Sequence, residues 1–350
     1  MNIAIVDIST KNHASLIENW IKVSQVNGWY VEIYVSTDVL QGIDPNLIEE
    51  IKVIEFKGGS ALRFLNCIYR KYKMGAVDKV VITSLQSNYF SFLFSEIKKS
   101  HFLLTIHNVN AWNGVCKKNS LKYLLKYAIR KVLLTYSNTL LVSSANLAHS
   151  LKNKYGVDKN VEIMPFKLAK ENINKCVKEY VVYPGMVSKD RKQYETFFKL
   201  CQECNDINFV LLGRVGGESD KAIVNKFKQL TNVVTFDEYV SREDFDYYID
   251  RAAVVFGDLN VEYENAEFLE VYGETKDTGL SYFTVESRVP LLVNHSFENI
   301  PNLQEMTFYF KSYCEAKDTL LQLMEKREIY TLPMLSDYRL CNIARRFYEI

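Results

Sequence analysis

Short apolar runs recur along this chain, separated by helix-length segments in which apolar residues return with helical spacing. In the first half the runs predict strands at 3–7, 31–35, 53–55, 80–83, 102–106, 140–142 and 162–164, with helices between them, notably 15–26, 61–74 and 121–134. A polar stretch, "KLAKENINKCVKEY", breaks the rhythm and reads as a linker. The pattern then restarts, with strands predicted at 181–183, 209–212, 233–235, 253–256 and 291–293 and helices at 193–204, 221–230 and 242–250. Such alternation builds parallel sheets covered by helices. At 350 residues the chain is too long for one ordinary core. Two doubly wound Rossmann-like α/β domains facing a cleft are therefore expected: 1–166, a linker 167–179, 180–332, and a terminal segment 333–350 whose helix packs back on the first domain.

Charge changes this picture locally rather than globally. The formal net charge is +1, which gives no overall bias toward nucleic acid, yet no Asp or Glu occurs from Ile97 to Val157, a window holding nine lysines and Arg130. Between Asp258 and Glu286 the sign reverses, and eight acids face Lys276 alone. The seven scattered cysteines do not form a secreted disulfide framework and fit a reducing cytoplasm. Cys201 and Cys204 are spaced as C-x-x-C, but they sit in a helical pattern with no second pair, so structural thiols are expected rather than a metal site. The opening "MNIAIVDIST" does not read as a signal peptide, and nothing approaches the roughly 18 apolar residues of a membrane span.

Candidate chemistry concentrates where predicted strands end. In open parallel sheets ligands bind at strand carboxyl ends, where helix amino ends favour anions. Three such turns in the second half pair glycine with a cation: "YPGMVSKDRKQY" (Gly185, Lys189, Arg191, Lys192), "LLGRVGGES" (Gly213, Arg214, Gly216, Gly217) and "YGETKDTGLSYF" (Gly273, Lys276, Thr278, Gly279). Each alone is an ordinary βα turn; three on one sheet edge suggest a diphosphate site.

With these turns in view, the chain resembles the GT-B glycosyltransferases, in particular the large nucleotide-sugar-dependent group with retaining members. The likeness rests on "VSSANLAHSLKNKYGVDKNVEIMP", "VYPGMVSKDRKQYETFFKL", "NVVTFDEYVSREDFDYYIDRAAVVF" and "KDTGLSYFTVESRVPLLV", in that order. It implies a donor nucleotide-sugar site made of Gly185, Arg191, Lys192, Gly213, Arg214, Lys276, Thr278 and Gly279. Two departures matter. Met186 follows Gly185 where the group has an arginine, so Arg191 or Lys189 is left to supply that cation, while Lys192 keeps its spacing. The group's paired glutamates, eight apart, are degenerate here: Thr278 stands where the first would be. Glu286 is left either as a ribose-side or catalytic carboxylate or as a solvated helix residue.

The proposed reaction needs only cations and helix N–H groups to stabilise the departing nucleoside diphosphate, so no metal or other cofactor is expected. The D-x-D of "EDFDYY", Asp244 and Asp246, falls in the first turn of an amphipathic helix, where the helix dipole favours acids. In the first half, "HFLLTIHNVNAWNG" ends a predicted strand in His107, Asn108, Asn110 and Trp112. His107 is a candidate catalytic residue and Asn108 and Asn110 candidate acceptor contacts, the alternative being a satisfied turn; Trp112 is either a sugar platform or core. "STKNHASLIENW" adds His13 on the acceptor side, with simple helix capping as its alternative. The helix 118–134 carries Lys118, Lys122, Lys126 and Arg130 in one row and Leu121, Leu124, Leu125, Ala128 and Val132 on another. It reads either as a docked helix with a solvated basic face or as a contact with an anionic membrane.

Together these readings predict a cytoplasmic GT-B glycosyltransferase, peripheral on the inner face of the membrane if the basic helix binds lipid. It would use a nucleotide sugar and a glycan or lipid-linked acceptor and would not bind nucleic acid. A sugar-nucleotide epimerase and a silent nucleotide-sugar-binding partner are the alternatives.

Overall fold

In the computed structural model all residues are described except 10–13, 86–87, 114–120, 173–176, 265–267, 328 and 349–350, and the side chains of Lys122 and Leu332. The chain forms two compact units. The first comprises 1–167, 264–270 and 340–350; the second comprises 168–263 and 271–339.

The first unit is built on seven parallel strands: β1 (Asn2–Asp7), β2 (Tyr30–Ser36), β3 (Lys52–Phe56), β4 (Lys79–Ile82), β5 (Phe102–Thr105), β6 (Thr139–Val142) and β7 (Asn160–Ile163). Their order is β3-β2-β1-β4-β5-β6-β7, so the direction of winding reverses between β1 and β4. Central strands buried on both faces need continuous apolar runs: Ile3 to Val6 pair with Val31 to Tyr34 on one side and with Lys79 to Ile82 on the other. The terminal helix Leu340–Tyr348 belongs to this unit, with Phe347 4.7 Å from Trp20 of the helix Ala14–Val26 and the Ala344 carbonyl accepting from Asn27 Nδ2 at 2.9 Å. Residues 264–270 also belong to it, and Phe268 is part of its core.

The second unit has six parallel strands: β8 (Tyr180–Pro184), β9 (Asn208–Leu212), β10 (Val233–Thr235), β11 (Ala252–Gly257), β14 (Leu291–Asn294) and β15 (Thr307–Phe310), in the order β10-β9-β8-β11-β14-β15. Between β11 and β14 in the chain, β12 (Glu262–Glu264) and β13 (Leu269–Val271) pair with each other. The core is aromatic around Tyr183, Phe197, Phe209 and Phe256, whose rings meet at 5.0–5.5 Å. Of the expected linker 167–179, the described residues Ala169 to Glu171 are tied into the second unit. Ala169 donates its N–H to the Tyr338 carbonyl, Lys170 meets Asp250 at 2.5 Å and Arg339 reaches Glu171 at 3.2 Å, so these residues are part of the second unit. Strand β15 and the helix Tyr313–Lys326 go beyond the predicted elements; β15 is a four-residue edge strand in which only the end residues Thr307 and Phe310 are buried, which weakens its apolar signal.

Candidate functional site

The second sheet reverses its winding between β8 and β11, the place where open α/β sheets form a crevice beyond their strand ends. The turn after β8 and the turn after β9 are joined there backbone to backbone. Gly185 donates to the Leu212 carbonyl at 2.8 Å, Val187 to the Arg214 carbonyl at 2.9 Å, and Gly216 to the Val187 carbonyl at 2.8 Å. The close approach explains the glycines: a Cβ on Gly213 would overlap the Gly185 carbonyl, and one on Gly216 would stand 2.7 Å from the Val187 oxygen. Gly185 itself has φ +90°, which a larger residue adopts only under strain.

Onto this platform the chain places its cations. Lys192 is 8 % exposed and donates to the carbonyls of Pro184 (2.7 Å) and Gly185 (2.9 Å), with its ammonium 4.6 Å from the Tyr183 ring centroid. Burial, and then the neighbouring Arg191 charge, push its pKa down to about 7. Arg191 lies across Tyr263, its Cζ 4.6 Å from the ring centroid and Nη2 donating to the phenol oxygen at 2.9 Å. The Lys276 ammonium is 5.8 Å from the centre of the same ring, which stacks on Tyr272 at 5.9 Å. Tyr263 therefore connects the first glycine turn to the third. In that third turn Gly273 has φ +85°, and a Cβ there would overlap the Glu298 carbonyl. Thr278 caps the helix Gly279–Ser287 by accepting from Leu280 N–H at 3.4 Å.

Arg214 is exposed at the second turn. Glu286 lies elsewhere, in the last turn of the helix Gly279–Ser287, about 10 Å from its start at 1.5 Å per residue. It is 4.0 Å from Lys170. Asp244 closes a capping pair with Ser241, its N–H donating to Ser241 Oγ at 3.0 Å and its carboxylate accepting from that hydroxyl at 2.7 Å. Asp246 is 3.9 Å from Arg242. Among the described residues no group of His, Cys, Asp and Glu is arranged to hold a metal ion. Cys201 and Cys204 are buried free thiols, with burial pushing both thiols up and Asn232 Nδ2 donating to both carbonyls.

Three residues of this site escaped the sequence. Tyr183 fills the core beneath Lys192 and donates to the Asp258 carbonyl at 2.6 Å. Asp258, just beyond β11, is 4 % exposed, and burial pushes its carboxyl up to about 6. Tyr263 sits in an acid-rich stretch; an aromatic among acids after a buried strand was the available signal.

In the first unit His107 follows β5, beside the reversal at β1 and β4. Its Nε2 is 2.7 Å from the Thr83 carbonyl and its ring stacks on Phe166 at 5.4 Å. A carbonyl only accepts, so Nε2 carries the proton and Nδ1 is the basic nitrogen of the neutral ring. Thr83 donates to Asp7 Oδ2 at 3.0 Å, and Asp7 Oδ1 accepts from Ser9 N–H at 3.0 Å. Asn108 is half-buried. Asn110 donates to the Leu269 carbonyl at 2.5 Å and accepts from the Tyr155 hydroxyl, so its amide ties the helix Val109–Asn113 to the rest of its unit. Trp112 is core, edge-on to Tyr89. His13 and Lys118 lie outside the described residues.

The basic row is corrected. Arg130 is 5 % exposed; it donates to the Ala111 carbonyl at 2.7 Å and to the Tyr89 hydroxyl at 3.0 Å. Its Cζ lies 4.9 Å from the centroid of the Tyr89 ring and 5.0 Å from that of Phe268. The late acidic segment is likewise not all surface, because Asp258 and Glu270 are buried and Glu270 accepts from the Ala111 N–H at 3.0 Å.

The sequence matches no protein-family profile and no curated protein. The fold, by contrast, has solved counterparts over its whole length. It is similar to HepE of Anabaena, crystallised in complex with UDP (TM-score 0.67, 11% identity, covering 100% of this chain and 99% of that one). It is also similar to a glycosyltransferase from Rickettsia africae (TM-score 0.61, 12% identity, 99% and 96% covered) and to a UDP-GlcNAc 2-epimerase from Neisseria meningitidis (TM-score 0.60, 10% identity, 100% and 99% covered). Two parallel, doubly wound units matched end to end to such structures are the GT-B fold, and that is the fold of this chain.

Proposed function

We propose that the protein is a glycosyltransferase that moves a sugar from a nucleoside-diphosphate sugar onto a glycan or lipid-linked glycan, without a metal ion. The observation that carries this reading is the meeting of Arg191 and Lys276 at Tyr263, with Lys192 held against the backbone-joined turns of Gly185 and Gly213, at the reversal of the second sheet. As the bond from sugar to diphosphate breaks, negative charge grows on the leaving group; fixed cations and helix N–H groups stabilise it most when already in place. Arg191, stacked and hydrogen-bonded, and Lys192, held by two carbonyls, are preorganised in this sense. HepE, of the same fold, was crystallised with UDP and with UDP-glucose, which supports a uridine diphosphate sugar as first choice of donor. His107, with Nδ1 as its basic nitrogen, is the proposed contact to the transferred sugar or acceptor. The free thiols of Cys201 and Cys204 suit a reducing compartment.

The similarity to a UDP-GlcNAc 2-epimerase favours one second reading, epimerisation of the sugar nucleotide. One experiment separates the two. The protein is screened by thermal shift against nucleotide sugars, and the best ligand is incubated with and without candidate glycan acceptors. Glycosyl transfer releases the nucleoside diphosphate in an acceptor-dependent manner; an epimerase interconverts donor sugars with no acceptor. A protein stabilised by no nucleotide sugar would refute the site assignment.

A further inference from the structure

The helix Leu121–Tyr136 of the first unit turns the wrong face outward for a protein surrounded only by water. A surface helix buries its apolar stripe and exposes its polar one. Here the inward positions are Ile129, Arg130, Leu133 and Leu134, and the outward arc is Leu121, Leu124, Leu125, Ala128, Val132, Thr135 and Tyr136, with no charged residue in it. Leu121 is 82 % exposed, Leu124 53 % and Leu125 48 %. At 100° per residue Lys131 stands on the border of this arc beside Leu124, while Lys126 points among the inward positions. Both are half-buried, Lys126 over Tyr123 and Lys131 over Tyr127.

The patch does not end with this helix. The neighbouring short helix Tyr89–Phe94 exposes Phe90 and Phe94, joined to the long helix through Tyr89 and Arg130. Lys98 donates to the Leu93 carbonyl and lies 5.8 Å from the Tyr136 ring, at the far end of the same surface. Among the described residues, both exposed phenylalanines and three of the four exposed leucines of the protein lie on these two helices.

We infer that this surface seats the protein on an anionic lipid bilayer, the leucines and phenylalanines entering the acyl boundary and the bordering lysines meeting headgroups. Charge selects the occupant. Two copies of the chain packed face to face here would bring like-charged borders together. A bilayer of anionic phospholipid offers hydrocarbon in the middle and negative charge at the rim. The acid-free sequence from Ile97 to Val157, which contains the helix, suits the same surface. The inference is independent of the donor-site reading, because bilayer binding is measured with no sugar nucleotide present.

The test uses the full chain and sedimentation with vesicles of phosphatidylglycerol and phosphatidylcholine. The protein should sediment with mixed vesicles at low salt, bind pure phosphatidylcholine less, and be partly released as salt rises and screens the headgroups. The double variant Leu124→Ser/Leu125→Ser should bind about tenfold more weakly or worse, while its thermal unfolding and its stabilisation by UDP stay at wild-type values, since both side chains face outward. Leu125→Trp should give emission that shifts to the blue on adding vesicles. Absence of binding at low salt, undiminished binding by the double variant, or a solution dimer that the double variant converts to monomer would each overturn the inference.

Discussion

The ammonium of Lys192 stands 2.9 Å from the carbonyl oxygen of Gly185, and a Cβ on Gly185 would lie 3.4 Å from that same ammonium. A buried lysine is thus held against the turn that is expected to cradle a diphosphate. Its depressed pKa, about 7 against an ordinary 10.5, gives the interaction a pH signature. The folded protein loses this proton as pH rises through about 7, whereas the unfolded chain keeps it to about 10.5, so this group's effect on stability becomes more favourable with rising pH across that window. A bound diphosphate favours the ammonium. UDP binding should therefore weaken from pH 7 to 9 and take up protons at pH 8, as seen by calorimetry in buffers of different ionisation enthalpy. Lys192→Met should weaken binding by about 1 to 3 kcal/mol and flatten the dependence; an unchanged slope would sink the assignment.

Gly213→Ala tests the joined turns. The added methyl overlaps the Gly185 carbonyl, which is backbone and cannot swing aside. The variant should lose on the order of 1 to 3 kcal/mol of stability and lose stabilisation by UDP. Ala at Gly217, where the nearest atom is Asp220 Oδ2 at 3.9 Å, is the matched control. Equal behaviour of the two variants would mean the contact does not constrain the turns.

Asp258 should make the protein less stable at neutral pH than it would be with an amide there. Its folded pKa, about 6, is raised above the ordinary 3.8 by burial, with a hydrogen bond to Thr196 opposing. A raised acid contributes stability below its unfolded pKa and loses it as pH rises through the folded one. Asp258→Asn should raise the unfolding temperature at pH 8 and leave it nearly unchanged at pH 3.5. A uniform shift at both would point to packing rather than ionisation.

His107 is expected to act on turnover and not on nucleotide binding, because the proposed nucleotide site is in the other unit. His107→Ala should reduce transfer by roughly a hundredfold if the imidazole moves a proton, with the UDP thermal shift intact. His107→Gln, which can still donate to the Thr83 carbonyl, separates positioning from proton transfer: recovery of activity by Gln would assign the residue to positioning.

Chelation should leave transfer intact, because the charges proposed to stabilise the leaving group are side chains. Activity lost with EDTA and restored by manganese or magnesium would return attention to Asp244, which caps its helix with Ser241, and to Asp246, which pairs with Arg242.

How far the sequence reaches can be judged residue by residue. The apolar runs before Asp7, Pro184 and Gly257 were legible because strands buried on both faces must be continuously apolar. The turns at Gly185, Gly213 and Gly273 were legible because only glycine tolerates their positive φ or their backbone contacts. Strand β15 was not, since half-burial dilutes its pattern, and neither was the assignment of 264–270 to the first unit, which depends on contacts far along the chain. In the helix Leu121–Tyr136 the sequence determined that two faces differ. Only tertiary packing decided which one turns inward, placing Arg130 among the Tyr89, Trp112 and Phe268 rings and leaving the leucines in solvent. Helical periodicity reports relative direction about an axis; the side that meets the core is set by what the neighbouring elements bring to it.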